Sequence, residues 1–294
     1  MKKTIKITFS DFWPNLIPTD NYFYDLLSIK YNVIIDDINP DIVFFSVYTN
    51  NHMRYDSNKV IKILYTGENR RPNYNECHYS LSFDYMNDNR NYRLPLWALM
   101  FNWFNKPYVA ERDHAYHHNM NDFLIKKGPT TKSKEFSFVV TNPNSHKRIE
   151  FASKVMRHYH IDCPGLVFNN MPKLTGRGDQ REKVEFLKDY KFNICFENSS
   201  YNGYCTEKII HSMFMNTIPI YWGDPLVSKD FNPNSFLNWH DYNDDEKLIN
   251  KIIEVNNNKD IYKSMINEPW FNDNKIPDFI KPESVLNFFE KIID

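Results

Sequence analysis

Residues 191–223, KFNICFENSSYNGYCTEKIIHSMFMNTIPIYWG, decide the fold. From Phe192 onward every second residue is strongly apolar, which is typical of a β-strand. A loop rich in Asn, Ser and Gly follows, and Thr206 is a residue type that caps the start of a helix. Residues 218–222 resume an extended run that ends at Gly223. The stretch predicts strand, loop, helix and strand, with polar residues where a parallel sheet presents them to a ligand.

Lys208 is unusual because it falls in the first turn of the predicted helix. The partial positive charge of a helix amino end disfavours a cation there by about 0.3–1 kcal/mol. An anion held between the helix end and the ammonium would reverse that effect, and phosphate is the usual anion at such sites. The alternative interpretation is that Glu207 and solvent neutralise Lys208, as at many protein surfaces.

Composition limits the class of protein. A chain of 294 residues with 41% hydrophobic residues can form one large domain or two ordinary ones. The net charge of -1 gives no overall field that favours nucleic acid or an anionic membrane. The amino-terminal residues MKKTIKITFSDFW lack the apolar core of a signal peptide, and no run of 18 apolar residues exists. We therefore expect a cytoplasmic location with no transmembrane segment and no nucleic-acid partner.

Cysteines and histidines give little support to a metal site. The four cysteines form no C-x-x-C pair, and Cys195, within an apolar strand pattern, is predicted to be a small buried filler. His114, His117 and His118 have helical spacing, which resembles a ligand set, but a histidine cluster alone is weak evidence for a metal. We interpret them as surface or as the lining of an acceptor site, so no metal ligand is predicted.

Strand and helix patterns alternate through both halves of the chain. Strands are predicted at 4–9, 33–35, 42–47 and 59–65, with 33–35 and 42–47 as buried strands, and helices at 21–29 and 282–293. The polar segment that ends at residues 128–135 is interpreted as a domain junction. After it, 136–140 reads as a strand and 148–159 as a helix. This alternation favours a doubly wound α/β architecture.

The segment 192–223 closely resembles the signature of the alpha-1,3-fucosyltransferases, glycosyltransferase family 10. The matching residues are FNICFENS at 192–199, YCTEK at 204–208 and IPIYWG at 218–223. Two further blocks, 65–99 and 136–155, resemble the family in the same order, so the resemblance covers most of residues 60–225.

The resemblance implies an α/β fold of GT-B type, with two Rossmann-like domains facing a central cleft. Residues 1–134 are then expected to form an amino-terminal acceptor-binding domain. Residues 135–294 are expected to form a carboxyl-terminal domain that binds GDP-fucose. The terminal helix is a candidate to pack back on the first domain.

Glu68 is the candidate catalytic base. It follows the predicted strand IKILY and matches the family glutamate assigned as general base in the block G-E-N-x-R-P. A positioned base contributes about 10²–10⁴ in rate. Judged by position alone, Glu68 is more simply a solvated loop carboxylate that makes a turn hydrogen bond with Asn69.

Two cations are the candidate clamp for the diphosphate. Arg148 follows a predicted strand and turn near a helix start, and its planar guanidinium suits phosphate oxygens. Lys147 beside it is an alternative for that role, and an ordinary surface arginine is the simpler interpretation. Together, Arg148 and Lys208 would stabilise the leaving pyrophosphate, which makes a metal cofactor unnecessary. No D-x-D motif occurs, although the resemblance leaves room for weak stimulation by manganese.

Four more residues resemble the family's contacts to the ribose, phosphates and fucose: Glu197, Asn198, Tyr204 and Glu207. A carboxylate that accepts hydroxyl hydrogen bonds suits a sugar, and a tyrosine can stack or donate a hydrogen bond. Glu207 also favours the helix dipole without any ligand.

The resemblance implies an inverting fucosyltransferase that moves L-fucose from GDP-fucose to a hydroxyl, O3 in the first instance, of N-acetylglucosamine (GlcNAc) in a glycan. One alternative is a GT-B transferase that uses another GDP-sugar. The other is a catalytically silent glycan-binding module, against which the joint presence of a base and two phosphate-binding cations counts.

Overall fold

Two α/β units make up the chain, and each is built around its own parallel sheet. The computed structural model describes residues 2–107, 118–126, 131–174 and 180–294. Unit 1 comprises Met1–Leu99, Trp103–Asp113 and Ile276–Asp294, and unit 2 comprises Met100–Asn102 and His114–Lys275. The predicted fold class, two Rossmann-like domains of the GT-B type, is confirmed.

The sheet of unit 1 has six parallel strands within the described ranges, in the order β2-β1-β3-β4-β5-β6. The strands are β1 (Thr4–Ser10), β2 (Asn32–Ile35), β3 (Ile42–Phe45), β4 (Ile61–Tyr65), β5 (Tyr79–Ser82) and β6 (Asn91–Arg93). The described α-helices of this unit are α1 (Tyr22–Lys30) and, at the end of the chain, α9 (Pro282–Ile293).

Burial in this sheet follows strand position. Every residue of β3 is buried, as expected for an interior strand of a covered parallel sheet. The strand β2, in contrast, lies at the edge, and its Asn32 and Ile34 are exposed. The prediction of a buried strand at 33–35 is therefore wrong, because an apolar β-branched run does not reveal whether a strand has one neighbour or two.

A side-chain cap starts α1, and packing against the unit holds α9. Asn21 caps α1, since its side-chain oxygen accepts the backbone N–H groups of Phe23 and Tyr24. The helix α9 packs its apolar face on the unit, with Phe289 5.7 Å from Phe44 between ring centroids. The carboxyl-terminal helix thus contributes to the core of unit 1.

Unit 2 contains five described parallel strands in the order β11-β10-β9-β7-β8. They are β7 (Lys134–Ser137), β8 (Ile161–Asp162), β9 (Tyr190–Ile194), β10 (Ile218–Tyr221) and β11 (Leu237–Asn238). The described helices are α2 (Met120–Leu124), α3 (His146–Val155), α4 (Gln180–Leu187), α5 (Glu207–Phe214), α6 (Trp239–Tyr242), α7 (Asp245–Asn257) and α8 (Lys259–Asn267).

The units divide the chain near residue 100 and again near 276, whereas the sequence predicted one division after residue 134. Aromatic packing accounts for the difference. Phe123 of α2 contacts Phe101, Phe214 and Phe271, with ring centroids 5.1–5.6 Å apart, so α2 belongs to the core of unit 2.

All four cysteines are free and buried, and Cys195 is the buried filler predicted from its strand pattern. Within the described ranges, every helix is too short or too polar to cross a membrane.

Candidate active site

The central strands of unit 2 deliver polar residues to one edge of the sheet. Glu197 follows the end of β9 by three residues, and its backbone N–H donates to the carbonyl of Trp222, 2.7 Å away, beyond the end of β10. Parallel strands end at the same edge of a sheet, where ligands bind in open α/β folds. The predicted strand, loop, helix and strand of 191–223 are all present, and they build this edge.

Glu197 is fully buried, and its carboxylate is held by two residues of the segment that returns to it. One oxygen accepts the backbone N–H of Thr206 at 2.7 Å, and both accept its hydroxyl at 2.8–2.9 Å. The ammonium of Lys208 lies 2.8 Å from the other oxygen. A buried carboxylate requires such partners, because burial without them is costly.

Thr206 precedes α5, as predicted, but its side chain makes no capping hydrogen bond. Instead the hydroxyl donates to Glu197 and accepts from Lys208, whose Nζ is 2.7 Å away. The expected cap is therefore wrong, since the carboxylate of Glu197 competes for the hydroxyl. The carboxylate of Glu197, which follows β9, is thus an anion beside the amino end of α5 in this structure.

Charges alternate around Lys208. Its ammonium also lies 3.6 Å from Glu207, and Glu207 lies 3.8 Å from Lys183 of α4. Burial opposes the charge on Lys208, but Glu197 and Glu207 outweigh burial and raise its pKa. Burial likewise opposes the charge on Glu207, but Lys208 and then Lys183 lower its pKa. Burial itself prevails at Glu197 and raises its pKa.

Two glycines allow this close packing. A Cβ on Gly223 would lie 2.4 Å from Cγ of Glu197, so only glycine fits beside the buried carboxylate. Gly203 adopts a φ of 86°, a conformation that glycine tolerates best, and its N–H donates to Asp224 at 2.7 Å. The loop between β9 and α5 is therefore held from β10.

Arg148 projects from the first turn of α3 and is 3% exposed. Its guanidinium donates to Oδ1 of Asn198 and to the carbonyl of Asn142, both at 2.6 Å. Its Nε is buried and finds no hydrogen-bond partner in the described part of the chain. Burial lowers the pKa of Arg148, and the neighbouring charge of Glu197 opposes that effect. A buried cation is thus held by neutral oxygens.

Asn198, which is exposed, connects this guanidinium to the loop after β9. Its backbone carbonyl accepts the hydroxyl of Ser145 at 3.0 Å, while its side chain contacts Arg148. Because Asn198 follows Glu197 directly, the structure links Arg148, Asn198, Glu197 and Lys208 within unit 2. The two cations predicted to act together therefore belong to one connected cluster.

Lys147, the alternative to Arg148, has other partners. Its ammonium lies 2.7 Å from Asp245 and 4.1 Å from the ring centroid of Trp239.

Tyr204 is 2% exposed, and its carbonyl accepts the hydroxyl of Tyr221 at 3.3 Å. Tyr204 therefore offers almost no surface for the predicted stacking.

Glu68 lies in unit 1, three residues beyond the end of β4. Its side chain is exposed, and Oε1 accepts the hydroxyl of Tyr48 at 3.3 Å. Its backbone N–H donates to the hydroxyl of Thr66 at 3.0 Å. The neighbouring Asn69 accepts a hydrogen bond from Arg71 at 2.6 Å.

The structure describes one member of the histidine cluster. The ring of His118 stacks on Phe214 at 3.7 Å, while His114 and His117 lie outside the described residues. Within the described ranges, no group of three His, Cys, Asp or Glu side chains is arranged to hold a metal ion.

Sequence reasoning missed several members of the site. Ser145, Lys183 and Asp224 all support the loop or the charges around Glu197 and Glu207. Asp224 directly follows Gly223, where the predicted strand ends, so its position could have identified it as a candidate site residue. Ser145 and Lys183 come from other elements, and no local pattern connects them to the site.

Comparisons with known proteins cover both halves of the chain. Residues 7–100 match the family model "Alpha-(1,3)-fucosyltransferase FucT N-terminal domain". Residues 129–285 match "Glycosyltransferase family 10 (fucosyltransferase) C-term".

Two curated relatives illustrate the range of similarity. An alpha-(1,3)-fucosyltransferase FucT of Helicobacter pylori is 32% identical over 94% of this chain and 62% of its own length. Alpha-(1,3)-fucosyltransferase B of Drosophila melanogaster is 31% identical over 40% of this chain and 28% of its own length. The chain thus spans less than two thirds of either relative.

Solved structures extend the similarity to the whole chain. A crystal structure of an alpha1,3-fucosyltransferase with GDP-fucose covers 100% of this chain and 91% of its own, with 29% identity and a TM-score of 0.78. A second crystal structure of an alpha1,3-fucosyltransferase has 30% identity and a TM-score of 0.80, and covers 99% of this chain and 90% of its own.

Proposed function

Because the chain belongs to glycosyltransferase family 10 (fucosyltransferase), we propose that it transfers L-fucose from GDP-fucose to O3 of GlcNAc in a glycan acceptor. We further propose that the transfer inverts the anomeric centre through one in-line displacement. The observation that carries the proposal is Arg148, a buried cation whose hydrogen bonds go to neutral oxygens. The charges of Glu197 and Glu207 offset the burial of Arg148 only in part, and a diphosphate would supply a counter-charge in direct contact with the guanidinium.

Unit 2 is proposed to bind the donor. Asn198 is exposed and its amide oxygen contacts the Arg148 guanidinium, so a phosphate oxygen can take over that contact when Asn198 moves aside. Lys208 has hydrogen bonds to Glu197 and Thr206, which leaves its third ammonium hydrogen for the donor. Glu197 itself has no exposed surface. Its proposed role is to orient Lys208, in place of the sugar contact expected from sequence.

Glu207 retains its proposed contact to the donor sugar or ribose. Its side chain is 19% exposed, and Lys208 and Lys183 keep it ionised, so its oxygens accept hydrogen bonds from hydroxyl groups. Tyr204 is proposed to support the loop from beneath rather than to stack on the ligand, since 2% of it is exposed.

Glu68 is the proposed general base. It takes the proton of the acceptor hydroxyl as that oxygen bonds to C1 of fucose, and the bond from C1 to phosphate breaks with its electron pair leaving on GDP. Arg148 and Lys208 stabilise the negative charge that develops on the leaving diphosphate. In this proposal no metal is required for the reaction, and manganese has at most a weak effect.

The test is a transfer assay with the purified chain, GDP-fucose and N-acetyllactosamine, with and without EDTA. We expect GDP release that depends on the acceptor, survives EDTA, and gives a product whose NMR spectrum assigns fucose to O3 of GlcNAc with inverted configuration. Retained configuration contradicts the displacement mechanism. A linkage to another hydroxyl corrects the acceptor position alone.

A calorimetric panel separates the alternatives. GDP-fucose is expected to bind more tightly than GDP-mannose or UDP-GlcNAc. Preference for another GDP-sugar favours a different transferase of the same fold, and binding of glycan without any nucleotide favours a glycan-binding module.

A further inference from the structure

Asp11 organises the loop that follows β3 in unit 1. Its side chain is fully buried, and its backbone adopts a φ of 61°, which few residues other than glycine adopt. The carboxylate accepts the hydroxyl of Thr49, the backbone N–H of Asn51 at 2.7 Å, and both the N–H at 2.8 Å and Nδ1 at 2.6 Å of His52. These contacts fill the acceptor capacity of one carboxylate and fix the path of residues 49–52.

Tyr48 is held at the start of this loop. Its backbone N–H donates to the carbonyl of Asp11 at 3.1 Å, so Asp11 fixes the chain at Tyr48 and immediately after it. Tyr48 nevertheless remains 52% exposed. Tyr48 follows the end of β3 by three residues, as Glu68 follows the end of the neighbouring strand β4, and the tyrosine hydroxyl thereby reaches Oε1 of Glu68 at 3.3 Å.

The hydrogen bond between these side chains is not needed to hold the Glu68 backbone. The N–H of Glu68 already donates to Thr66, and its carbonyl accepts the N–H of Arg70. Of the neighbouring cations, Arg70 is exposed, and Arg71 pairs with Asp84 at 3.2 Å. Tyr48 therefore acts on the carboxylate rather than on the chain.

We propose that Tyr48 is a positioning residue, which donates to Oε1 of Glu68 and leaves Oε2 to receive the proton of the acceptor hydroxyl. The inference rests on the proposed function of Glu68 as the base. Orientation of one oxygen by a fixed donor keeps the other in the geometry that proton transfer requires.

The test compares Tyr48→Phe with the wild-type chain under GDP-fucose and N-acetyllactosamine. Loss of the donor is expected to lower kcat about tenfold, since a hydrogen bond to a charged group is lost. The KM for N-acetyllactosamine is expected to stay near the wild-type value, so that kcat and kcat/KM fall equally, because the lost contact acts on the base and not on the bound acceptor. The dissociation constant of GDP-fucose is expected to stay unchanged.

Tyr24→Phe on α1 is the matched control and is expected to leave kcat and KM unchanged. A wild-type kcat in Tyr48→Phe overturns the inference while the proposed function stands. A wild-type chain without fucosyl transfer, or a Glu68→Gln variant at full rate, overturns the proposed function and the inference with it. A raised KM for the acceptor with an unchanged kcat also overturns the inference, because it would show that Tyr48 binds the acceptor and does not position the base.

Discussion

Glu68 of unit 1 and Glu197 of unit 2 occupy equivalent positions with opposite surroundings. Each follows the end of an interior parallel strand by three residues. Glu68 is exposed and accepts a hydroxyl from Tyr48, whereas Glu197 is fully buried and held by Thr206 and Lys208. The carboxyl end of a strand therefore brings a carboxylate to the functional edge without deciding what that carboxylate does.

The difference comes from the chain that follows each glutamate. After Glu197, a loop held by Asp224 returns at Thr206 and α5, which enclose the carboxylate. After Glu68, Arg71 bonds Asn69 and Asp84 and leaves the glutamate uncovered. An exposed carboxylate is suited to proton transfer with a substrate, and an enclosed one is suited to holding a cation in place.

The largest expected effect is a loss of transfer rate on substitution of Glu68, the exposed carboxylate of unit 1. Glu68→Gln is expected to lower kcat by about 10²–10⁴, since an amide cannot accept the proton. Binding of GDP-fucose by calorimetry is expected to be unchanged, because the proposed donor contacts lie in unit 2. Glu283→Gln, an exposed glutamate of α9, is the control. Transfer by Glu68→Gln at the wild-type rate would show that the base is another group.

The corresponding change in unit 2 is expected to act on stability. Glu197→Gln leaves Lys208 without its closest carboxylate, and breaking such a pair is expected to lower the free energy of unfolding by about 3 kcal/mol. This is the lower end of the usual range, because the Lys208 side chain remains 19% exposed. Urea denaturation measures the change.

The control for this variant is Glu185→Gln, an exposed glutamate of α4, which is expected to change stability by about 0.5 kcal/mol or less. Equal stability of the two variants would contradict the structural role of Glu197.

Arg148→Lys tests whether unit 2 binds a diphosphate through the guanidinium of Arg148. A lysine keeps the charge but loses the planar fork, so GDP is expected to bind about 10–100-fold more weakly in calorimetry. Arg157→Lys, an exposed arginine beyond the end of α3, is expected to bind GDP as wild type does. Unaltered affinity in Arg148→Lys would remove Arg148 from the proposed donor site.

The smallest effect is expected from a comparison of two partly buried lysines of unit 2, Lys126 and Lys208. Lys126 donates to the carbonyl of Ile266 at 2.6 Å and lies 3.6 Å from the ring centroid of Trp270. Burial lowers its pKa from 10.5 to about 7, whereas the carboxylates around Lys208 raise the pKa of that lysine. Between pH 7 and 10.5 the unfolded chain therefore binds the extra proton, so this group makes stability rise with pH across that window.

Lys126→Met is expected to remove this rise, which amounts to about 1–2 kcal/mol once partial solvent access is allowed for. Urea midpoints at pH 7 and pH 10 measure it, with the exposed Lys259→Met as control. A slope in Lys126→Met equal to that of the control would contradict the lowered pKa.

Local patterns predicted much of the architecture. Apolar alternation predicted β9, helical spacing predicted α9 over 282–293, and the resemblance predicted the GT-B type. The burial of strand 33–35 was predicted wrongly because it depends on the order of strands in the sheet, which places β2 at an edge. The boundary of unit 2 depends on contacts of Phe123 with Phe101 and Phe271, which are distant in sequence.

The sequence by itself determined which chemical groups stand near strand ends and helix starts: two glutamates, an arginine, a lysine and the glycine beside them. Only the tertiary structure decided that Glu197 holds Lys208, that the Thr206 hydroxyl serves Glu197 rather than α5, and that Glu68 stays exposed. The physical reason is that burial and hydrogen-bond partners are set by elements far apart in the chain. Charge and hydrogen-bonding capacity, in contrast, are carried by each residue wherever it lies.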